Sequence, residues 1–276
     1  RPHSVQRGIM SKNGVTARVT PFGVNETAYS HTAGRKIQEL FTPPPLFFAA
    51  KCGRIDRRFH ERGKTMGCCV IFCAGEFDAL ARPLEKDDYI LAADGCLKHT
   101  RKLGIEPNEI IGDFDSLGFT PPGAEIFPVE KDDTDAMLAV RRGLELGYRE
   151  FLLYGSLDGP RLDHTVANFQ TLQFLADRDA VGYLVGNRSI VTVVKNGSIA
   201  FPAGLSGNLS VFCMGADARG VTERGLYYTL EDGVLTSGFP LGVSNHFTGE
   251  PAHISVRDGS LLLIWDKAAG FPVTEQ

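Results

Sequence analysis

The sequence of 276 residues is 43% hydrophobic and 22% charged with a formal net charge of −4, the make-up of a globular chain long enough for two modest domains. No apolar run approaches the roughly 18 residues of a membrane span, and the net charge is not that of a polyanion binder, so neither a membrane nor a nucleic-acid partner is expected. Six cysteines (Cys52, Cys68, Cys69, Cys73, Cys96 and Cys213) lack paired metal-site spacing and the density of a disulfide scaffold, which reads as reduced thiols in a cytoplasmic protein.

Residues 1–65 carry twelve Lys+Arg against four Asp+Glu, whereas the rest of the chain carries seventeen against twenty-nine. With Pro43-Pro44-Pro45 and little apolar periodicity, this segment is expected to be a disordered or spurious N-terminal extension. From Cys68 onward short apolar runs follow one another: Val70–Phe72, Tyr89–Ala93, Glu109–Ile111, Ile126–Val129, Phe151–Tyr154 and Tyr183–Val185. They read as buried strands of a mostly parallel sheet. Met137, Val140 and Leu144, and then Val166, Phe169 and Leu172, fall at helical spacing between them, a βαβ pattern.

After about Asn187 the strands come closer together, and Asn196-Gly197, Asp232-Gly233 and Asp258-Gly259 read as two-residue hairpin turns. The expected architecture is an α/β fold: a Rossmann-like, mostly parallel sheet domain over residues 66–187, then a smaller antiparallel β-sandwich domain over residues 188–276.

Acids gather where the parallel strands end: Asp94 after the second run, Asp113 and Asp115 in Gly112-Asp113-Phe114-Asp115-Ser116, and Asp135 in Lys131-Asp132-Asp133-Thr134-Asp135. In extended backbone Asp113 and Asp115 share a face, and two like charges so close call for a cation such as Mg²⁺ shared with substrate phosphates. Asp and Gly also simply end strands, and Asp135 also suits a helix N-terminus, so each taken singly has a plain structural reading. The segment Gly155–His164 follows a strand and opens a helix, as phosphate-binding loops do, with Arg161 able to grip phosphate oxygens. His99, His246 and His253 lack ligand spacing and read as structural or surface residues.

Taken in order, Gly112–Ser116, Lys131–Asp135, Arg161-Leu162-Asp163-His164 and Gly242-Val243-Ser244-Asn245 closely resemble the thiamine pyrophosphokinase family in its bacterial-type form, over about residues 66–270. The resemblance implies transfer of a pyrophosphoryl group from ATP to the hydroxyl of thiamine, giving thiamine diphosphate and AMP, with Mg²⁺. It further implies a homodimer that builds each site from both subunits, a nucleotide- and metal-binding α/β domain and a thiamine-binding β domain.

By the same resemblance Asp113, Asp115 and Asp135 bind metal and Asp94 orients the metal shell or the thiamine hydroxyl. Arg161 stabilises phosphate charge, and Ser116, Thr134, Asp163 and His164 line the nucleotide site. Ser244 and Asn245 hydrogen-bond the aminopyrimidine of thiamine. Some relatives stack a Trp on thiamine, but the only Trp here is Trp265, with Phe247 the aromatic nearest the Ser244-Asn245 pair. Two other readings share the same residues: a Mg²⁺-dependent nucleotide phosphohydrolase, and a catalytically silent thiamine or nucleotide sensor.

Overall fold

Fully buried strands are apolar on both faces, and the runs after Cys68 obey this rule in a computed structural model that describes residues 67–93, 96–112, 125–126 and 133–273. The expectations for residues 1–65 and for Asp94, Asp113, Asp115 and Ser116 lie outside the described residues. Six strands, β1 (Cys69–Phe72), β2 (Tyr89–Ala93), β3 (Glu109–Gly112), β4 (Glu125–Ile126), β5 (Glu150–Tyr154) and β6 (Val181–Val185), run parallel in the order β4-β3-β2-β1-β5-β6. Three helices, α1 (Leu97–Leu103), α2 (Asp135–Glu145) and α3 (Leu162–Ala176), lie between them in sequence.

At β6 the direction reverses. The strand β7 (Ser189–Lys195) pairs antiparallel to it, and β8 (Ser198–Phe201), β9 (Asn208–Cys213), β10 (Ala218–Arg224), β11 (Leu230–Leu235), β12 (Gly242–His246), β13 (Ala252–Ser255) and β14 (Ser260–Asp266) follow. Four of these extend the parallel sheet to ten strands, ending β6-β7-β14-β9-β12, while β11-β10-β13-β8 form a separate antiparallel sheet. The fold is therefore a mixed α/β sheet joined to an antiparallel sandwich, as the apolar pattern implies.

Alternate residues of each strand go to opposite faces of the ten-stranded sheet. On one face Cys69, Ile71, Phe151, Leu153, Leu184 and Val191 meet Ala139 and Val140 of α2 and Leu172 and Leu175 of α3. On the other, Ile190, Leu261, Leu263 and Trp265 meet Phe201, Val221, Leu235 and Ile254 of the four-stranded sheet. Each such side chain removed from water contributes about 1.5–3 kcal/mol, so both covers are strongly held. Trp265 lies edge-on to Tyr183 and Phe201 and donates Nε1–H to the Gly270 carbonyl at 2.8 Å, so its role is in the core.

The three expected hairpin dipeptides need correction. Asn196 and Asp232 do adopt positive φ, at 45° and 46°, and Gly259 sits at 112°. Yet Asn196-Gly197 carries the chain from β7 in one sheet to β8 in the other, and Asp258-Gly259 returns it from β13 to β14. The two corners interlock, since the Gly259 N–H donates to Asn196 Oδ1 at 2.8 Å and the Asn196 N–H to the Gly259 carbonyl at 3.0 Å. Asp232-Gly233 is an irregularity inside β11, where its register against β10 shifts. Such dipeptides report the backbone conformation, not which strands pair on either side.

One polar pair is sealed inside the sandwich. Glu223 on β10 is 2% exposed and Asn245 on β12 is 3% exposed, with Asn245 Nδ2 donating to Glu223 Oε2 at 3.0 Å. Burial raises the Glu223 carboxyl pKa above its ordinary value, against the opposing effect of the Asn245 hydrogen bond. The folded protein therefore holds this proton to higher pH than the unfolded chain, and the ionised form is the one that costs stability. Glu223→Gln keeps the acceptor without the charge. Its Tm is expected to exceed wild type at about pH 8, the gain fading as pH falls towards the ordinary glutamate pKa; thermal melts with a pH-independent or negative difference would contradict this.

Candidate active site

A helix that connects two parallel strands starts at the end of the sheet where the preceding strand finishes, so the N-termini of α2 and α3 lie at the carboxyl edge of the strands. Strand order also reverses there: β1 is followed in sequence by β2 on one side, while β5 lies on its other side. Crevices for ligands open at such switch points. Here it is floored by two backbones. The Gly75 N–H donates to the Gly155 carbonyl at 3.0 Å, and the Glu76 N–H to the Asp158 carbonyl at 2.7 Å. A Cβ on Gly75 would stand 2.4 Å from the Gly155 oxygen, and one on Gly155, at φ 67°, 2.6 Å from the Cys73 and Gly75 oxygens. No larger residue fits either position without moving the loops.

The loop after β5 is held from beneath by α3. Asn168 Nδ2 donates to the Ser156 carbonyl at 2.7 Å and Thr165 Oγ1 to the Leu157 carbonyl at 3.2 Å. Arg161 caps α3 without a side-chain cap bond, and its guanidinium forks onto Asp163, Nη2 to Oδ2 at 2.7 Å. Hydrogen bonding to Arg161 pulls the Asp163 carboxyl down to about 2. Both side chains are about two-thirds exposed, so the pair is cheap to open and the Arg161 fork can turn to an incoming phosphate. His164 is exposed in the first turn beside them.

The helix α2 is pinned to the sheet by Arg142, which bonds both carboxylate oxygens of Glu109 at 2.8 Å, while the Tyr89 hydroxyl donates to Glu109 at 2.6 Å. At its start Thr134 Oγ1 accepts the Met137 N–H at 3.2 Å, so Thr134 is the cap and Asp135 the first helical residue. Asp135 is half-buried, and its charge reaches the end of β1: burial first, and Asp135 second, push the Cys73 thiol up to about 12. Among the described residues no three His, Cys, Asp or Glu side chains gather as a metal site. Asp135 is the expected metal ligand among them, and a hard carboxylate oxygen at this edge suits Mg²⁺.

Ser244 and Asn245 stand elsewhere. They are on β12, the outermost strand, separated from β5 by β9, β14, β7 and β6. That is five strand spacings, or ~24 Å along the sheet. Ser244 is exposed at φ 60°. Asn245 is turned inward: Nδ2 donates to Glu223 and to the Tyr228 carbonyl at 2.7 Å, and Oδ1 accepts the N–H groups of Tyr228 at 3.0 Å and His246 at 2.9 Å. Its amide is fully used inside the protein, so it shapes the Tyr227-Tyr228 turn instead of offering a free donor.

Phe247, 5% exposed and packed on Phe201, presents no open ring. The open aromatic faces in contact with Asn245 and His246 are Tyr227 and Tyr228, 62% and 63% exposed, with Tyr227 stacked on His246 at 4.6 Å between ring centres. Sequence reading passed over these tyrosines because nothing in their spacing says that the turn is held up by Asn245. It passed over Gly75 because one Gly after a strand is ordinary.

Two family models match the chain and together span more than half of it: thiamin pyrophosphokinase, catalytic domain, over residues 80–181, and thiamin pyrophosphokinase, vitamin B1 binding domain, over residues 198–261. No curated protein matches the sequence. Among solved structures, thiamine pyrophosphokinase from Bacillus subtilis is similar at 23% identity and a TM-score of 0.66, covering 72% of this chain and 99% of that one. The enzyme from Geobacillus thermodenitrificans is similar at 24% identity and 0.64, covering 72% of this chain and 97% of that one. Yeast thiamin pyrophosphokinase has the same fold at 16% identity and 0.58, over 75% of this chain and 88% of that one. The chain belongs to the thiamin pyrophosphokinase family and carries both its catalytic and its vitamin B1-binding domain.

Proposed function

We propose that this thiamine diphosphokinase takes ATP as the pyrophosphoryl donor and works with Mg²⁺, in a homodimer, in the cytoplasm. The hydroxyl oxygen of thiamine attacks the β-phosphorus of ATP, the bond to the oxygen bridging the α- and β-phosphates breaks, AMP leaves, and the hydroxyl proton is released. The observation that carries the reading is the close meeting of the Gly75 and Gly155 backbones at the switch point of the parallel sheet, with Asp135 opening α2 and Arg161 opening α3 at the same strand ends. Such a transfer demands alignment and charge neutralisation more than covalent participation.

In this reading residues 66–187 bind nucleotide and metal, and residues 188–276 bind thiamine. The N–H groups of the loop after β5 and the Arg161 fork hold phosphate oxygens, with Asp163 and His164 fixing that loop and Thr134 fixing α2. Asp135, with Asp113 and Asp115, holds the metal, Asp94 orients the thiamine hydroxyl, and Ser116 lies in the nucleotide site. Bound Mg²⁺ would supply positive charge to the phosphate oxygens as the β-phosphorus is attacked. Tyr227 and Tyr228 offer the flat faces that a cationic thiazolium ring and its pyrimidine need, and Ser244 offers a hydroxyl beside them.

The dimer is supported by the distance between these two sets of residues, ~24 Å along the sheet of one chain, far beyond a thiamine molecule lying between them. It is also supported by the apolar surface at this end of the sheet, where Phe239 and Leu241 just before β12 and Val243 on it are at least half exposed. A second copy would cover this edge and bring its Tyr227-Tyr228 turn to the crevice. A monomer mass in sedimentation at working concentration would remove this part of the proposal. The cytoplasmic assignment is supported by the buried Cys68, Cys69 and Cys73, none of which is in a disulfide. Among the described residues no helix is long and apolar enough to cross a membrane.

Incubation with Mg²⁺, ATP and thiamine, followed by phosphorus NMR, is expected to give AMP and thiamine diphosphate only when thiamine is present. Phosphate release without thiamine would indicate a hydrolase, and binding of both ligands without turnover a sensor. Asp135→Asn, which leaves the Thr134 cap intact, should lower kcat by about 10²-fold or more with unchanged circular dichroism. Wild-type turnover in that variant would remove Asp135 from the metal site. Tyr228→Leu should raise KM for thiamine about three- to tenfold and leave KM for ATP unchanged, the reach of one stacking contact; equal effects on both substrates would point to misfolding of the turn.

A further inference from the structure

Four polar groups from distant parts of the chain meet beside the crevice. Lys267, in the short helical turn after β14, donates Nζ–H to Asp78 Oδ1 at 3.0 Å and to the Ala79 carbonyl at 2.7 Å. The Asp78 N–H in turn donates to Asn187 Oδ1 at 2.7 Å, and the Asn187 N–H donates to Asp158 Oδ2 at 2.5 Å. The Lys267 N–H closes the set on the Arg188 carbonyl at 2.8 Å. Asp78 belongs to the loop after β1, Asp158 to the loop after β5, and Asn187 to the turn between β6 and β7, so the set ties both walls of the crevice to the antiparallel half.

Lysine stems are rotamer-rich and are usually left in solvent, yet the Lys267 side chain is only 15% exposed. Its hydrogen bond is the main cause of the lowered Asp78 carboxyl pKa. The loop that it grips has little regular structure of its own. Besides Lys267 and Asn187 it is held by the Gly75 and Glu76 N–H groups on the Gly155 and Asp158 carbonyls and at Ala81, whose N–H donates to the Tyr154 hydroxyl at 3.1 Å, while Arg82 on Asp88 at 2.8 Å braces it within itself. Between Glu76 and Ala81 it is gripped by Lys267 and Asn187. Asp78, Asn187 and Lys267 fall outside the residues that either family model matches.

We propose that Lys267, Asp78, Asn187 and Asp158 form a clamp that sets the spacing of the two loops at the switch point, so that the chain's last strand presets the crevice for nucleoside triphosphate. They are positioning residues: the clamp acts through the Gly75 and Gly155 loops, and its effect falls on nucleotide affinity, because loops held in the bound conformation lose less freedom on binding. The inference rests on the proposed nucleotide site.

The test uses the full chain with Mg²⁺ and a non-hydrolysable ATP analogue, titrated by calorimetry, beside steady-state KM values for ATP and thiamine. Lys267→Met, which keeps the stem and removes the charge, should weaken the analogue's Kd and raise KM for ATP about five- to tenfold, with kcat and KM for thiamine within about twofold. Lys267→Arg should restore most of the loss, and Asn187→Ala should weaken the same Kd without adding fully to Lys267→Met. If either variant binds the analogue as wild type does, whether or not its Tm falls, the clamp is a structural staple only and the inference is overturned. If wild type itself fails to bind the analogue, the nucleotide site falls and the clamp's role with it.

Discussion

The backbones of the loops after β1 and β5 meet at Gly75 and Gly155 more closely than any side chain permits, and the rest of the site is arranged around that meeting. It fixes the floor of the crevice at the switch point of the parallel sheet. The start of α3 then falls at its rim, because the loop after β5 is short and buttressed by Asn168 and Thr165. The start of α2 falls at the same edge because a parallel crossover leaves it no other place, while Arg142 in its last turn pins the far end of the helix to Glu109 at the start of β3. Fold and charge placement are thus one constraint: strands that are apolar on both faces must be covered by helices, and the helices bring Asp135 and Arg161 to the strand ends.

The antiparallel half solves a different problem. It continues the same sheet through β7 and folds a second sheet over its exposed apolar face, and this leaves β12 as an open edge far from the crevice in the same chain. A flat cationic substrate recognised at that edge reaches the crevice only if two chains share sites. In the proposed dimer, the exposed Phe239, Leu241 and Val243 at that end of the sheet and the distance of five strands both favour shared sites. Asn245 supports the edge from inside, spending its whole amide on Glu223, Tyr228 and His246, and so stabilises the surface that carries the open tyrosine rings.

Much of this was legible in the sequence where the signal is local. The expected strands within the described residues are present, with Ile126 alone of the run Ile126–Val129 falling among them, since buried parallel strands are written as continuous apolar runs, and the helical spacing of Met137, Val140 and Leu144 is realised in α2. The placement of Asp135 and Arg161 could be read from the rule that strand ends carry ligands. The signals that failed are those whose meaning depends on partners far along the chain. Asn196-Gly197 and Asp258-Gly259 announce positive φ, but only the pairing of β7 with β14 and of β8 with β13 makes them corners between sheets. Nothing near Asn245 in the sequence says that Glu223, 22 positions away, takes a hydrogen bond from its amide. Lys267 lies 189 positions from Asp78, and no pattern in one sequence joins them.

In the proposed function a metal–nucleotide complex sits over Gly75 and Gly155 at the end of Asp135. It is tested most directly by anomalous diffraction from crystals grown with Mn²⁺ and a non-hydrolysable ATP analogue. A manganese peak is expected within coordination distance of an Asp135 carboxylate oxygen, with the analogue's phosphates against the loop from Gly155 to Arg161. A peak elsewhere, or phosphates bound away from that loop, would contradict it.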